Sequence, residues 1–300
     1  MKKIGKFLGC FLPIIAALLC QVVISFSFTF VYSFYLGIKA AMLGISPAEQ
    51  EAFYMESLSS GNVLMIITGI ATAATLLVGA LWYRSYRPAT DFTLKELVNG
   101  KLLAAMACLG LSLQFLISMC LNAVYPILPQ DLTDQYTELM EQLIGGNIWL
   151  SLLVTVILAP LAEELLFRGV TMKMAQKIMP FMAANILQAV LFGIYHMNWI
   201  QGVYAFVLGL LLGFTAEYFH SVWASILLHA FVNGSAEILS NLPEAISETF
   251  AGTILLAVVG VILLFVAAKL YPVAKKEPVV EEITKENQEN EIFTENSFDE

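Results

Sequence analysis

Eight long apolar stretches follow one another along the chain, and they constrain the fold more than any other feature. A helix needs about 20 mostly apolar residues to cross a bilayer, and it satisfies its own backbone hydrogen bonds in lipid. The stretches cover residues 9–37, 61–83, 102–124, 147–172, 181–197, 201–219, 222–241 and 251–271. We therefore predict an all-α, polytopic membrane helix bundle of about eight transmembrane helices.

Charged residues are few and unevenly distributed. Only 13% of the 300 residues are charged and 59% are hydrophobic, which excludes an ordinary soluble domain. Most of the formal net charge of -9 comes from residues 277–300, where Lys285 is the one base among many acids. The rest of the chain is nearly neutral and has no basic face, so nucleic acid is not expected as a partner.

The bases fall into alternate loops, which predicts the orientation of the helices. Loops rich in Lys and Arg stay in the cytoplasm. Basic residues lie before the first stretch and after the second, fourth and eighth stretches. They are Lys2, Lys3, Lys6, Arg84, Arg87, Lys95, Lys101, Lys173, Lys177, Lys275 and Lys276. The opposite loops are acidic, with Glu244 and Glu248 in the last of them. Both termini are therefore expected in the cytoplasm.

Ionisable groups inside the apolar stretches divide the chain into regions. Residues 1–145 contain few of them and are interpreted as an N-terminal three-helix accessory membrane region. Residues 146–241 contain nearly all of them, which predicts a catalytic core of four helices, because intramembrane charges are costly and usually functional. Residues 242–272 form a final transmembrane helix, and 273–300 an acidic, disordered cytoplasmic tail.

An acidic pair lies in the first helix of this core. Glu164 and Arg168 are four residues apart, with the acid nearer the amino end, which favours an ion pair on one helix face. Glu163 points about 100° away and has no such partner, so it is the candidate general base. Pro160 removes one backbone donor and predicts a kink just before the pair.

Two later helices of the core carry further polar groups. Phe192 and His196 are one helical turn apart, as are His229 and Asn233. A single histidine in an apolar helix is more often a hydrogen-bonded core residue than a catalyst. Core hydrogen bonding explains less easily why three separate helices carry an acid, an imidazole, and an imidazole with an amide.

These residues resemble the membrane-embedded CAAX prenyl endopeptidases and their bacterial relatives, often called the CPBP or Abi family and linked to bacteriocin self-immunity. The family's three motifs are matched by Glu163-Glu164-x-x-x-Arg168, Phe192-x-x-x-His196 and His229-x-x-x-Asn233, in this order. The resemblance covers about one third of the chain, residues 146–241.

The resemblance implies peptide-bond hydrolysis within the membrane. Glu163 and His196 would activate a water, and His229 and Asn233 would stabilise the oxyanion. Glu164 and Arg168 would hold the first helix and contact the substrate backbone. Substrates would be membrane-anchored peptides, prenylated CAAX-type or similar to bacteriocins or pheromones, at a bacterial cell membrane.

A zinc mechanism is the alternative with the same residues. Glu163, His196 and His229 would supply two imidazoles and one carboxylate, with an open fourth position. We favour a site without a metal, because the sequence has no His-Glu-x-x-His helix and an asparagine suits an oxyanion hole better than a zinc shell. No cofactor is therefore expected, with zinc as the open alternative.

Two noncatalytic hypotheses also stay open: a membrane scaffold for bacteriocin immunity, and a proton-coupled transporter.

The hypothesis of an enzyme meets one geometric difficulty, which is the expected depth of the two histidines in the membrane. At 1.5 Å per residue, His196 would lie about 20 Å from the inner end of its helix, but His229 only about 10 Å from the inner end of its own. The two can meet only if the helix boundaries or tilts differ from those expected.

Overall fold

The structure is a computed structural model that describes residues 2–88, 93–144, 146–243, 246 and 249–274. The acidic tail predicted from residue 273 lies almost wholly outside the described residues, as do Glu244, Glu248, Lys275 and Lys276. Within the described ranges the regular elements are all helices. The predicted all-α membrane bundle is confirmed.

Twelve helices follow one another in the described ranges. They are α1 (Lys2–Gly9), α2 (Leu12–Leu43), α3 (Pro47–Leu58), α4 (Gly61–Tyr83), α5 (Leu94–Leu97), α6 (Gly100–Val124), α7 (Gln130–Ile144), α8 (Ile148–Gln176), α9 (Phe181–Tyr195), α10 (Trp199–Tyr218), α11 (Val222–Ser240) and α12 (Phe250–Ala274). A short 3₁₀ turn, Tyr125–Ile127, follows α6.

Seven of the described helices are long and apolar enough to cross a membrane, and the protein is an integral, multi-pass membrane protein. The stretch predicted as the fifth span, 181–197, differs from the others. Helix α9 has 15 residues and ends at Tyr195, so it is about 22 Å long, shorter than a hydrocarbon core of about 30 Å. His196 is therefore not inside a membrane helix but at the carboxyl end of a short one.

Side-chain caps begin several of these helices. Asn99, Asn147, Asn198 and Ser221 each accept a hydrogen bond from a backbone N–H in the first turn of α6, α8, α10 and α11 respectively. These N–H groups have no partner within the helix. The caps explain why the four helices begin where they do.

Helices α9 and α10 form a hairpin that packs through glycines. A Cβ atom added to Gly193 would lie 2.6 Å from the Gly202 carbonyl oxygen, and one added to Gly209 would lie 3.2 Å from the Ala189 Cβ. Small residues let membrane helices approach closely where no hydrophobic effect drives them together. The hairpin brings the end of α9 against the middle of the bundle.

Helix α8 is continuous, but its hydrogen-bond pattern changes along its length. Two π-helical stretches, Leu152–Leu158 and Leu165–Met172, flank a short α-helical segment, Ala159–Glu164. Such wider turns are frequent at functional sites, because they change the direction of side chains relative to a regular helix. The segment between them carries both glutamates of the first motif.

Candidate active site

The predicted ion pair of α8 is present and fully buried. Arg168 Nη1 donates to Glu164 Oε1 at 2.7 Å, and both side chains are 0% exposed. Arg168 Nη2 donates to the Gly209 carbonyl of α10 at 3.1 Å, and the guanidinium lies 4.4 Å from the centroid of the Phe192 ring. The arginine thus ties α8 to α9 and α10.

His229 of α11 lies between the two carboxylates of α8. Its Nδ1 is 2.8 Å from Glu164 Oε1, and its Nε2 is 3.8 Å from Glu163 Oε2. Because Glu164 is paired with Arg168, its carboxylate is an acceptor, and we assign the Nδ1 proton of His229 as the donor. The other ring nitrogen of His229 therefore faces Glu163. Glu164 is not only an ion-pair partner but also the group that orients this histidine.

His196 caps the end of α9 beside the same residues. Its Nδ1 lies 2.8 Å from the Phe192 carbonyl oxygen, which sets the direction of the ring. The Phe192 ring packs edge-on against His196, at 4.7 Å between centroids, and against His229, at 5.8 Å. Glu163 is close enough to His196 to interact with it electrostatically. Phe192 therefore separates and aligns the two imidazoles.

The difference in depth between the two histidines is resolved by where the helices begin. Val222 and Ile226, in the first turns of α11, pack on Leu165 in the middle of α8. Helix α11 therefore begins well inside the length of α8, and its third turn reaches the level of the glutamates. Helix α9 begins at Phe181 as expected, so the depth at which α11 begins accounts for the meeting of the two histidines.

Asn233 binds a backbone carbonyl of α8. In the π-helical stretch the Ala159 N–H donates to the Val154 carbonyl, five residues earlier. The next N–H in this pattern would come from residue 160 and bond to the Thr155 carbonyl, but Pro160 has no N–H. Asn233 Nδ2 donates to that carbonyl instead, at 2.8 Å. One proton of the Asn233 amide is used in this contact, which holds the amide in place on the face of α11 that carries His229.

A zinc ion would need three of these side chains to converge on one point. Among the described residues, no group of three His, Cys, Asp or Glu side chains lies close enough together to hold a metal ion. Glu163, His196 and His229 are neighbours, and because Nδ1 of each histidine is engaged in a hydrogen bond, Nε2 of each ring is the nitrogen left open. No step is assigned to a metal, and a site without one stays the prediction.

A buried amide network on α9 extends from Arg168. Gln188 Nε2 donates to the Gly209 carbonyl, the same acceptor that Arg168 uses, at 2.9 Å, and to Asn185 Oδ1 at 2.7 Å. Asn185 in turn donates to the Leu210 carbonyl at 3.0 Å. Both amides are 0% exposed. In the sequence, the feature that indicates this network is a pair of amides on one face of an apolar helix, because such groups need hydrogen-bond partners in lipid.

One family model matches the part of the chain that carries the residues of this site. Residues 145–235 match the family model described as Type II CAAX prenyl endopeptidase Rce1-like. The matched residues include all three motifs. The resemblance drawn from the three motifs is confirmed, and the family is one of peptidases. Neither the curated proteins nor the solved structures contain a match to the chain.

Proposed function

We propose that the protein is an intramembrane endopeptidase in which Glu163 activates a water against a peptide bond. The observation that supports the proposal most is the placement of His229, with Nδ1 2.8 Å from Glu164 and Nε2 3.8 Å from Glu163. One carboxylate orients the imidazole, and the other faces its free nitrogen. An acid that orients a histidine, whose other nitrogen faces the reacting groups, is an arrangement that hydrolytic sites use.

Glu163 is the better candidate base of the two carboxylates. Its side chain is 15% exposed, whereas that of Glu164 is 0% exposed and is occupied by Arg168 and His229. A base must reach the water whose proton it takes. With Nδ1 donating to the Phe192 carbonyl, His196 offers the lone pair of Nε2 to the second proton of the same water.

His229 and Asn233 serve as donors to the developing oxyanion. When His229 is protonated, Glu164 accepts from Nδ1 and the Nε2–H is free to donate. The second amide proton of Asn233 supplies a further donor, because only one is bound to Thr155.

The reaction balances with these groups alone. The oxygen of the water attacks the peptide carbonyl carbon as Glu163 takes one proton, and the carbonyl oxygen becomes the oxyanion held by His229 and Asn233. When the C–N bond breaks, Glu163 returns that proton to the leaving amine. The products are a carboxylic acid and an amine, which become a carboxylate and an ammonium when the remaining proton of the water passes from the acid to the amine.

The substrate class that we propose is a short peptide held at the membrane by an apolar or lipid anchor. The site lies between helices that are long and apolar enough to cross a bilayer, so the scissile bond has to reach membrane depth. Prenylated CAAX-type tails and peptides similar to bacteriocins or pheromones belong to this class.

The test uses purified protein in lipid and a library of lipidated peptides, with cleavage followed by mass spectrometry. Wild type is expected to cleave a subset of the library, and Glu163→Gln and His229→Ala are expected to cleave none. His220→Asn is the matched control, because His220 lies in the turn between α10 and α11 with φ of 47°, which asparagine tolerates. If all four folded proteins behave alike, the peptidase proposal is wrong and a scaffold role is favoured.

A further inference from the structure

Helix α2 contacts the site from outside the segment that matches the family. We propose that Gln21 of α2 and Tyr195 of α9 are positioning residues, which hold the end of α9 and thereby His196. This inference rests on the proposed peptidase function and goes beyond it, because it makes the accessory helices part of the active site.

The contact is a hydrogen bond between residues that are 174 positions apart. Gln21 Nε2 donates to the Tyr195 hydroxyl oxygen at 2.5 Å. Thr75 of α4 lies near the same hydroxyl. Three helices therefore meet at one phenol. Gln21 is the one polar residue in the otherwise apolar segment 11–24. A side-chain amide in lipid costs free energy unless it has a hydrogen-bond partner.

Tyr195 lies directly beside the catalytic groups. Its ring packs edge-on against Phe167 at 5.4 Å and near His196 at 6.2 Å between centroids. Its side chain is 8% exposed, and the hydroxyl is within electrostatic range of Glu163. The hydrogen bond thus reaches the residue immediately before the candidate histidine.

The end of α9 needs such support for a structural reason. Helix α9 stops at Tyr195, short of the length of a full span, and the backbone then turns through Met197 at φ of 53°. A residue other than glycine with positive φ is held there by its surroundings. The ring of His196 is itself oriented by a carbonyl of this last turn. Movement of the turn therefore moves the imidazole.

The consequence is a defect in turnover and not in substrate binding. Loss of the Gln21–Tyr195 hydrogen bond would let His196 shift relative to Glu163, and a misplacement of about 1 Å can cost about 10²-fold in rate. Neither residue is assigned to the substrate, so KM is expected to stay unchanged. Because both variants break the same contact, their effects should not add.

The experiment compares Gln21→Leu, Tyr195→Phe and the double variant in full-length protein. Each is expected to lower kcat by about 10-fold or more with KM within about two-fold of wild type, and the double variant is expected to match the single ones. Gln114→Leu is the matched control, since Gln114 is a partly buried amide of α6 whose partner is Ser118 of the same helix. Unchanged kcat, a rise in KM alone, or additive losses would each overturn the proposal.

A second readout keeps this inference separate from the peptidase proposal. In ¹⁵N-histidine NMR spectra, the resonances of His196 should shift in Gln21→Leu and Tyr195→Phe, while those of His220 stay unchanged. Assignments come from His196→Gln and His220→Asn. Shifts without any detectable hydrolysis would support the positioning role while the peptidase proposal fails. An unmoved His196 resonance would refute the positioning role, whatever the activity.

Discussion

Glu164 accepts a hydrogen bond from His229 at 2.8 Å, although the two residues are 65 positions apart. The same carboxylate oxygen also accepts from Arg168. A single buried oxygen therefore links the structural ion pair of α8 to the imidazole of α11. Substitutions at either end of this link should affect both stability and turnover, but in separable ways.

Glu164→Gln is expected to lower both quantities. Removal of the charge leaves Arg168 buried without compensation, which costs about 3–5 kcal/mol of the free energy of unfolding. It also removes the counter-charge of the His229 imidazolium, so kcat should fall by about 10²- to 10⁴-fold. Thermal unfolding in detergent and peptide hydrolysis measure the two effects.

Adding Arg168→Met to this variant should restore stability without restoring turnover. Both members of the ion pair are then absent, and no uncompensated charge remains. Glu141→Gln, on the exposed side of α7, is the control and should leave both quantities unchanged. A double variant that hydrolyses peptides like wild type would contradict the role assigned to Glu164.

Asn233→Ala should reduce kcat by about 10²-fold, the scale of a lost oxyanion donor. It should also destabilise the protein by about 1–3 kcal/mol, because the Thr155 carbonyl loses its partner. Adding Pro160→Ala separates the effect on turnover from the effect on stability, because an N–H at position 160 can bond to the Thr155 carbonyl within the helix. In the double variant the stability loss should shrink while the turnover loss stays. Recovery of both would show that Asn233 acts only through the fold.

Gly193→Ala should destabilise the hairpin of α9 and α10. Its Cβ would lie 2.6 Å from the Gly202 carbonyl oxygen, on a backbone that cannot rotate away, and overpacking of this kind costs about 1–3 kcal/mol. Gly100→Ala is the control, because a Cβ there meets nothing within 4 Å. Its stability should stay the same or rise by about 0.5–1 kcal/mol. Equal melting temperatures for the two variants would disprove the close contact.

Removal of divalent metals should leave hydrolysis intact. The described residues form no three-ligand set, and Glu163 is assigned as the base and not as a zinc ligand. Protein treated with EDTA and then dialysed should retain its rate within about two-fold. Loss of activity that added zinc restores would reject the glutamate mechanism in favour of the metal alternative.

The regular spacing of an α-helix explains why some of these contacts were predictable. Glu164 and Arg168 lie four residues apart on α8, so one helical turn brings them together whatever the rest of the bundle does. The apolar stretches likewise predicted the helices, with one error at α9, where 15 helical residues replace a full span. Hydropathy detects that a segment is apolar but not how much of it continues as helix before a turn.

The linear sequence determined the membrane bundle, the ion pair within one helix and the family of the core, because each depends on residue type and local spacing. The tertiary structure alone decided that His229 faces both glutamates, that Asn233 bonds to Thr155 and that Gln21 reaches Tyr195. The physical reason is that these contacts join different helices. They depend on where each helix begins, on the close glycine contact between α9 and α10, and on the donor that Pro160 lacks.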